Sequence, residues 1–143
     1  MFIGEAPGKT EAQIGRPFIG RSGKYLRLLI QKTGLKEEDV YITSPVKYLP
    51  KKGTPSSLQI EHGRSHLLKQ VEVIRPQILV LLGSVAAQGV LGRKILVMKE
   101  HGKVVTEKEG KYFLTIHPAA AIRFFKFRKV IEEDFQKLKN LIH

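Results

Sequence analysis

The stretch QILVLL (Gln77–Leu82) constrains the fold of this chain more than any other. After its first residue it is apolar on both alternating faces, and it sits between the pair Arg75–Pro76, which stops a helix, and Gly83. A strand wetted on one side alternates apolar with polar residues. One that is apolar throughout is buried on both sides, as in a parallel sheet covered by helices. The flanking segments agree. Met1–Gly4 and Val40–Thr43 read as further strands, and ILVM, KVVT and KYFLTI between Lys94 and Ile116 read as short ones. Ser22 is positioned to cap a helix over Gly23–Thr33, whose Tyr25, Leu26, Leu29 and Ile30 form one stripe, and Gly34 ends it. Ser56 or Ser57 caps a long helix to Ile74; Ser84–Leu91 and Ile131–Ile142 complete the set. Strands alternating with helices predict an α/β three-layer sandwich, one domain over residues 1–143.

A chain of 143 residues can bury one sizeable core, and no repeat or linker divides it. No apolar run approaches the ~20 residues of a membrane-crossing helix. The opening MFIGEAPG has neither the basic region nor the long apolar stretch of a signal peptide, so a cytoplasmic monomer with no membrane partner is expected. The chain contains no cysteine, which excludes disulfides, thiolate metal sites and cysteine nucleophiles. Lys and Arg number 25 against 13 acidic residues, a net charge of +12. Such an excess suits either a solvated surface or a phosphate-backbone partner.

Two polar segments follow predicted strands: the Gly/Pro loop Gly4–Gly23 and LTIHPAAAIR (Leu114–Arg123). Paired loops at strand ends are where an α/β sheet builds a ligand site. The start of the first, GEAPGKT, looks like a phosphate-binding P-loop, but it has three residues between its glycines where that motif needs four. No apolar strand ends in Asp for magnesium either, so nucleotide hydrolysis is set aside.

Five motifs then stand in order: GEAPGxxE, GRPFxGRSG, VK-x-x-P, LGxxA and HPAAxxR. Together they resemble the type 4 uracil-DNA glycosylases, members of the uracil-DNA glycosylase superfamily that normally carry an iron–sulfur cluster. The resemblance runs over almost the entire chain. It implies a central, mostly parallel four-stranded sheet with a cleft at the strand ends. It also implies base flipping and hydrolysis of the N-glycosidic bond of uracil, or another deaminated base, in DNA, with the free base as product. The alternative is a catalytically weak or inactive DNA-binding descendant, and a third class is an interaction module docked to a replication protein.

By the same resemblance, Phe18 stacks on the flipped base and His117 donates a hydrogen bond to uracil O2. Read without it, Phe18 is a core residue and His117 a structural hydrogen-bonder. Glu5 either assists the reaction, as Glu11 also could, or satisfies loop amides. Ala6 stands where type 1 enzymes place a water-activating aspartate. The backbone of Ala6, Pro7 and Gly8 is expected to hold uracil oxygens.

Two positions depart from the pattern. Ser44 stands where the family has an asparagine, whose amide pairs with uracil N3–H and O4, so selectivity for uracil is weakened. Tyr48 and Gly63 stand where two cluster cysteines are expected; the other two would lie ahead of the first strand, in a segment this chain is expected to lack. No cofactor and no metal are therefore expected, with apolar contacts around Tyr48 tying down the loop. His62 and His66, one helical turn apart, are expected to face solvent or DNA. Arg16, Arg21, Lys47, Lys51, Lys52 and Arg123 suit phosphates. Ile122 is either a wedge in the vacated base stack or a core residue.

Overall fold

A computed structural model describes residues 1–108 and 110–143. Its centre is a sheet in the order β2-β1-β3-β5-β4. Strands β1 (Phe2–Ile3), β2 (Ile42–Thr43), β3 (Leu79–Leu82) and β5 (Gly110–Thr115) run parallel. Strand β4 (Val104–Glu107) pairs antiparallel with β5 and closes one edge. Every residue of β3 is buried, as its unbroken apolar sequence requires.

Among the described residues the sheet thus has five strands, where the resemblance implied four. The additional one is the edge strand β4, already read from KVVT, and its residues Val104–Glu107 are exposed and half-buried in alternation, as befits a wetted antiparallel edge. ILVM forms no strand; Val97–Glu100 is instead a single helical turn, α5. A run of four apolar residues carries no period by which to tell the two apart.

The remaining helices are α1 (Lys9–Ile14), α2 (Arg21–Lys32), α3 (Ser57–Ile74), α4 (Ser84–Leu91), α6 (Pro118–Arg123) and α7 (Lys126–Ile142). All but α1 form two groups, α2 with α6 and α7, and α3 with α4, the outer layers of the sandwich. Ser56 caps α3 by accepting from the Gln59 amide, and the Gln59 side chain answers the Ser56 N–H in a capping box. The cap of α2 is Gly20, not Ser22, which lies inside the helix. The chain turns early because Phe18 adopts a left-handed backbone conformation, φ 49°.

The main core packs Phe2, Ile3, β3, Phe113 and Leu114 against Leu26, Leu29, Ile131, Phe135 and Leu138. Among the described residues one charged side chain is buried with it. Asp134 of α7, wholly buried, accepts the Thr115 hydroxyl at 2.7 Å and meets His101 Nδ1 at 3.0 Å. This contact fastens the closing helix to the last residue of β5. The chain leaves β1 towards β2 on one side, while β3 lies on the other. This strand-order reversal opens a crevice at the carboxyl ends, where Gly4, Ser44 and His117 follow β1, β2 and β5.

Candidate active site

A cavity of about 260 Å³ opens in that crevice, lined by Glu5, Ala6, Pro7, Gly8, Glu11, Phe18, Ser44 and His117 among others. Each lining segment is placed by the element before or after it. Phe18 is buried, yet its ring faces the cavity, and it stacks beside His117 with centroids 5.7 Å apart and planes 27° from parallel. The ring lies so close over Gly4 that any Cβ there would overlap it. Arg27, which sequence reasoning missed, fixes the turn: its guanidinium donates to the Phe18 carbonyl at 3.1 Å and to that of Pro17 at 3.3 Å. Phe18 is therefore at once core and cavity wall.

His117 ends the β5 run and caps α6. Its Nδ1 accepts the Ala119 N–H at 3.1 Å. Burial pushes its pKa from the usual 6.5 down to about 4, so the imidazole is neutral at pH 7. With Nδ1 an acceptor, the single proton sits on Nε2. That nitrogen faces Gly4 beside the Phe18 ring. The site holds a neutral donor, fixed in tautomer by the backbone. Glu5, half-buried in the same wall, has its carboxyl pKa raised by desolvation.

On the opposite wall Ser44 is buried, and its hydroxyl donates to the Val46 carbonyl at 2.7 Å. The hydroxyl hydrogen is thus committed, and only lone pairs of Oγ are left for the cavity. Ala6 packs on a small second core of Val46, Ile60 and Val85, which joins the first loop to the loop after β2.

The chain matches the model of the uracil DNA glycosylase superfamily over residues 1–139. It belongs to that superfamily. It is 39% identical to the type-4 uracil-DNA glycosylase of Saccharolobus solfataricus, covering 99% of this chain and 70% of that one. It is 35% identical to the Thermotoga maritima enzyme of the same name, over 99% and 77%. The figures for the Archaeoglobus fulgidus enzyme are 37%, 99% and 75%.

The iron–sulfur cluster of such glycosylases does not fit the residues of this superfamily member. It has no cysteine, and a Cβ on Gly63 would overlap the Pro45 carbonyl oxygen. Tyr48 is exposed, so it does not tie down the loop as expected. Among the described residues no group of three or more His, Cys, Asp or Glu could hold a metal ion. His62 and His66 lie exposed and edge to face on α3.

Of the phosphate candidates, Arg16, Arg21, Lys51, Lys52 and Arg123 are exposed. Lys47 differs. Although much of its side chain is open to solvent, its ammonium turns back onto Thr43 Oγ1, the Ser44 carbonyl and Gln70 Oε1, which take up all three N–H donors. Sequence gives the residue but not the direction of so long a side chain. Ile122 is half-buried and lines, with Arg21 and Arg123, a second hollow that shares Gly8, Glu11 and Ser22 with the first. The more exposed apolar groups come just after it: Phe124 and Phe125, 47% and 78% accessible, under the guanidinium groups of Arg123 and Arg128. The run FFKFR could have flagged them.

Proposed function

We propose that this protein is a DNA glycosylase that flips uracil out of DNA and hydrolyses its N-glycosidic bond in base-excision repair. The observation that carries the reading is the convergence of Glu5, Phe18, Ser44 and His117 on one crevice cavity in a member of this superfamily. The sequence's expectation of a cytoplasmic monomer goes with it, and no helix among the described residues is long and apolar enough to cross a membrane.

Exposed cations around the crevice hold the phosphates, and the base turns into the cavity and stacks on Phe18. Cleavage breaks the bond between C1′ and the base nitrogen, and its electron pair leaves with the base. Negative charge grows on uracil O2, and the Nε2–H of neutral His117 donates to it. A preorganised neutral donor needs no reorientation as that charge forms. The cationic sugar is captured by water, whose proton passes to Glu5 or to solvent. The carboxylate of Glu5 offsets the sugar's positive charge. Backbone at Ala6–Gly8 contacts the base, and Ser44, offering lone pairs alone, accepts uracil N3–H. Cytosine presents a lone pair at that atom, so the contact becomes repulsive.

The test is incubation with single-stranded and U:G oligonucleotides, followed by alkali to cut abasic sites. Strand cutting by the wild type, lost in His117→Ala, is expected. The committed hydroxyl of Ser44, where two-point recognition is absent, favours the second reading, a DNA-binding descendant without catalysis. Salt-sensitive DNA binding with no abasic product from uracil, hypoxanthine or xanthine would establish it.

A further inference from the structure

The resemblance to the type 4 glycosylases implies a metal cluster beside the loop that follows β2, and this chain has no cysteine to ligate one. Something else must hold that loop, because Ser44 sits at its start, and free backbone there would blur the cavity wall. We propose that Lys47 is a positioning residue: with Gln70 of α3 and Thr43 of β2 it forms a polar tie that fixes the Ser44–Lys47 turn.

The tie is complete in its donors and acceptors. The Lys47 ammonium donates to Thr43 Oγ1 at 2.7 Å, to Gln70 Oε1 at 2.7 Å and to the Ser44 carbonyl. Thr43 in turn donates to Gln70 Oε1 at 3.1 Å. The Gln70 amide is oriented by its other end, since Nε2 donates to Tyr41 Oη at 3.1 Å. With Nε2 so engaged, Oε1 must face the lysine. The turn itself is gripped from below. Gly63 of α3 meets the Pro45 carbonyl too closely to carry a side chain, and a Cβ on Gly89 of α4 would lie 2.7 Å from the Pro45 ring. Val46 is buried against Ile60 and Val85. Pro45 and Val46 are thus packed down while Lys47 reaches back over them, and Ser44 is caught between.

The groups around the ammonium are neutral acceptors, not carboxylates. Desolvation accordingly brings the Lys47 pKa from 10.5 to about 8. A lysine held ready for phosphate would keep its ordinary basicity in open solvent. The tie specifies position more than it adds stability, because partial desolvation of the ammonium offsets much of what the hydrogen bonds contribute.

The proposal rests on the glycosylase reading only for the task of Ser44; the tie itself is tested without catalysis. Lys47→Met, Gln70→Met and their double variant would be compared with Lys52→Met in the full chain. The first readout is the rate of tryptic cleavage at Lys51 and Lys52. It should rise about tenfold in either single variant and no further in the double, the signature of one shared interaction. The second is the salt dependence of binding to a uracil-containing oligonucleotide. The slope of log Kd against log salt should fall by about one unit in Lys52→Met and stay unchanged in Lys47→Met and Gln70→Met. In excision, KM should rise with kcat held to within about twofold for both tie variants, as expected for lost positioning of a binding group. Should Lys47→Met fail to fold, Gln70→Met and Tyr41→Phe carry the test. A slope lowered in Lys47→Met, with wild-type cleavage rates in Gln70→Met, would overturn the tie and return Lys47 to the phosphates. A wild type that excises nothing would overturn the functional reading, and proteolysis and the salt slope would still decide the tie.

Discussion

The turn after β5 and the loop after β2 face each other across the same cavity but are built by different means. The first is held by main chain: His117 caps α6 through an imidazole–amide bond, and strand register with β3 sets where it emerges. The second is held by side chains, through the Lys47–Gln70–Tyr41 series and the Ser44 hydroxyl. Main-chain scaffolding tolerates substitution around it, whereas a side-chain scaffold changes whenever one of its members does. The positions singled out by the resemblance divide in the same way: His117 lies in the first, and the departures Ser44, Tyr48 and Gly63 lie in the second or against it.

The contrast can be broken most directly at His117. His117→Ala should lower kcat for uracil excision by about 100- to 1000-fold, the range for loss of one preorganised donor, with DNA affinity nearly unchanged. A loss under tenfold would move the chemistry to the other side of the cavity. Gly63→Ala attacks the side-chain half through packing. Overlap with the Pro45 carbonyl should cost about 1–3 kcal/mol, read as a lower urea midpoint, and should damage uracil binding before it damages turnover.

Acid should act on the main-chain half. The folded-state pKa of His117, about 4, lies below its ordinary 6.5. Between those values the unfolded chain binds more protons, so its contribution to stability is full above pH 6.5 and lost as pH falls towards 4. His117→Gln should flatten that limb of the stability profile, measured by urea unfolding at pH 5 and pH 7. Smaller still is the effect of restoring the family residue. Ser44→Asn should improve discrimination of uracil over cytosine by about tenfold. Equal uracil cleavage by Ser44→Asn and wild type would argue that Ser44 does not limit recognition.

Much of the architecture was legible because it is dictated by pattern and local chemistry. The apolar run 79–82, the Ser56 cap and the glycine-bounded helix 84–91 each follow from a few neighbouring residues. The early start of α2 was not, since it depends on the left-handed turn at Phe18, which the Arg27 guanidinium secures from nine residues away. In the site, Phe18 and His117 could be found because their motifs flank strands. The reach of Lys47 could not, as it depends on an acceptor 23 residues further along. Nor could the commitment of the Ser44 hydrogen to Val46, since a hydroxyl's partner is chosen by the folded loop.

The bond between Thr115 and Asp134 has a consequence for how the molecule must come apart. Thr115 stands two residues before the histidine, and its carboxylate partner sits on the closing helix near the chain's far end. The closing helix is therefore a keystone set late in the arch. Fraying it would leave Thr115 without its partner and slacken the strand that aims His117, so the His117 side of the crevice and the C-terminal helix should open as one cooperative unit in hydrogen exchange.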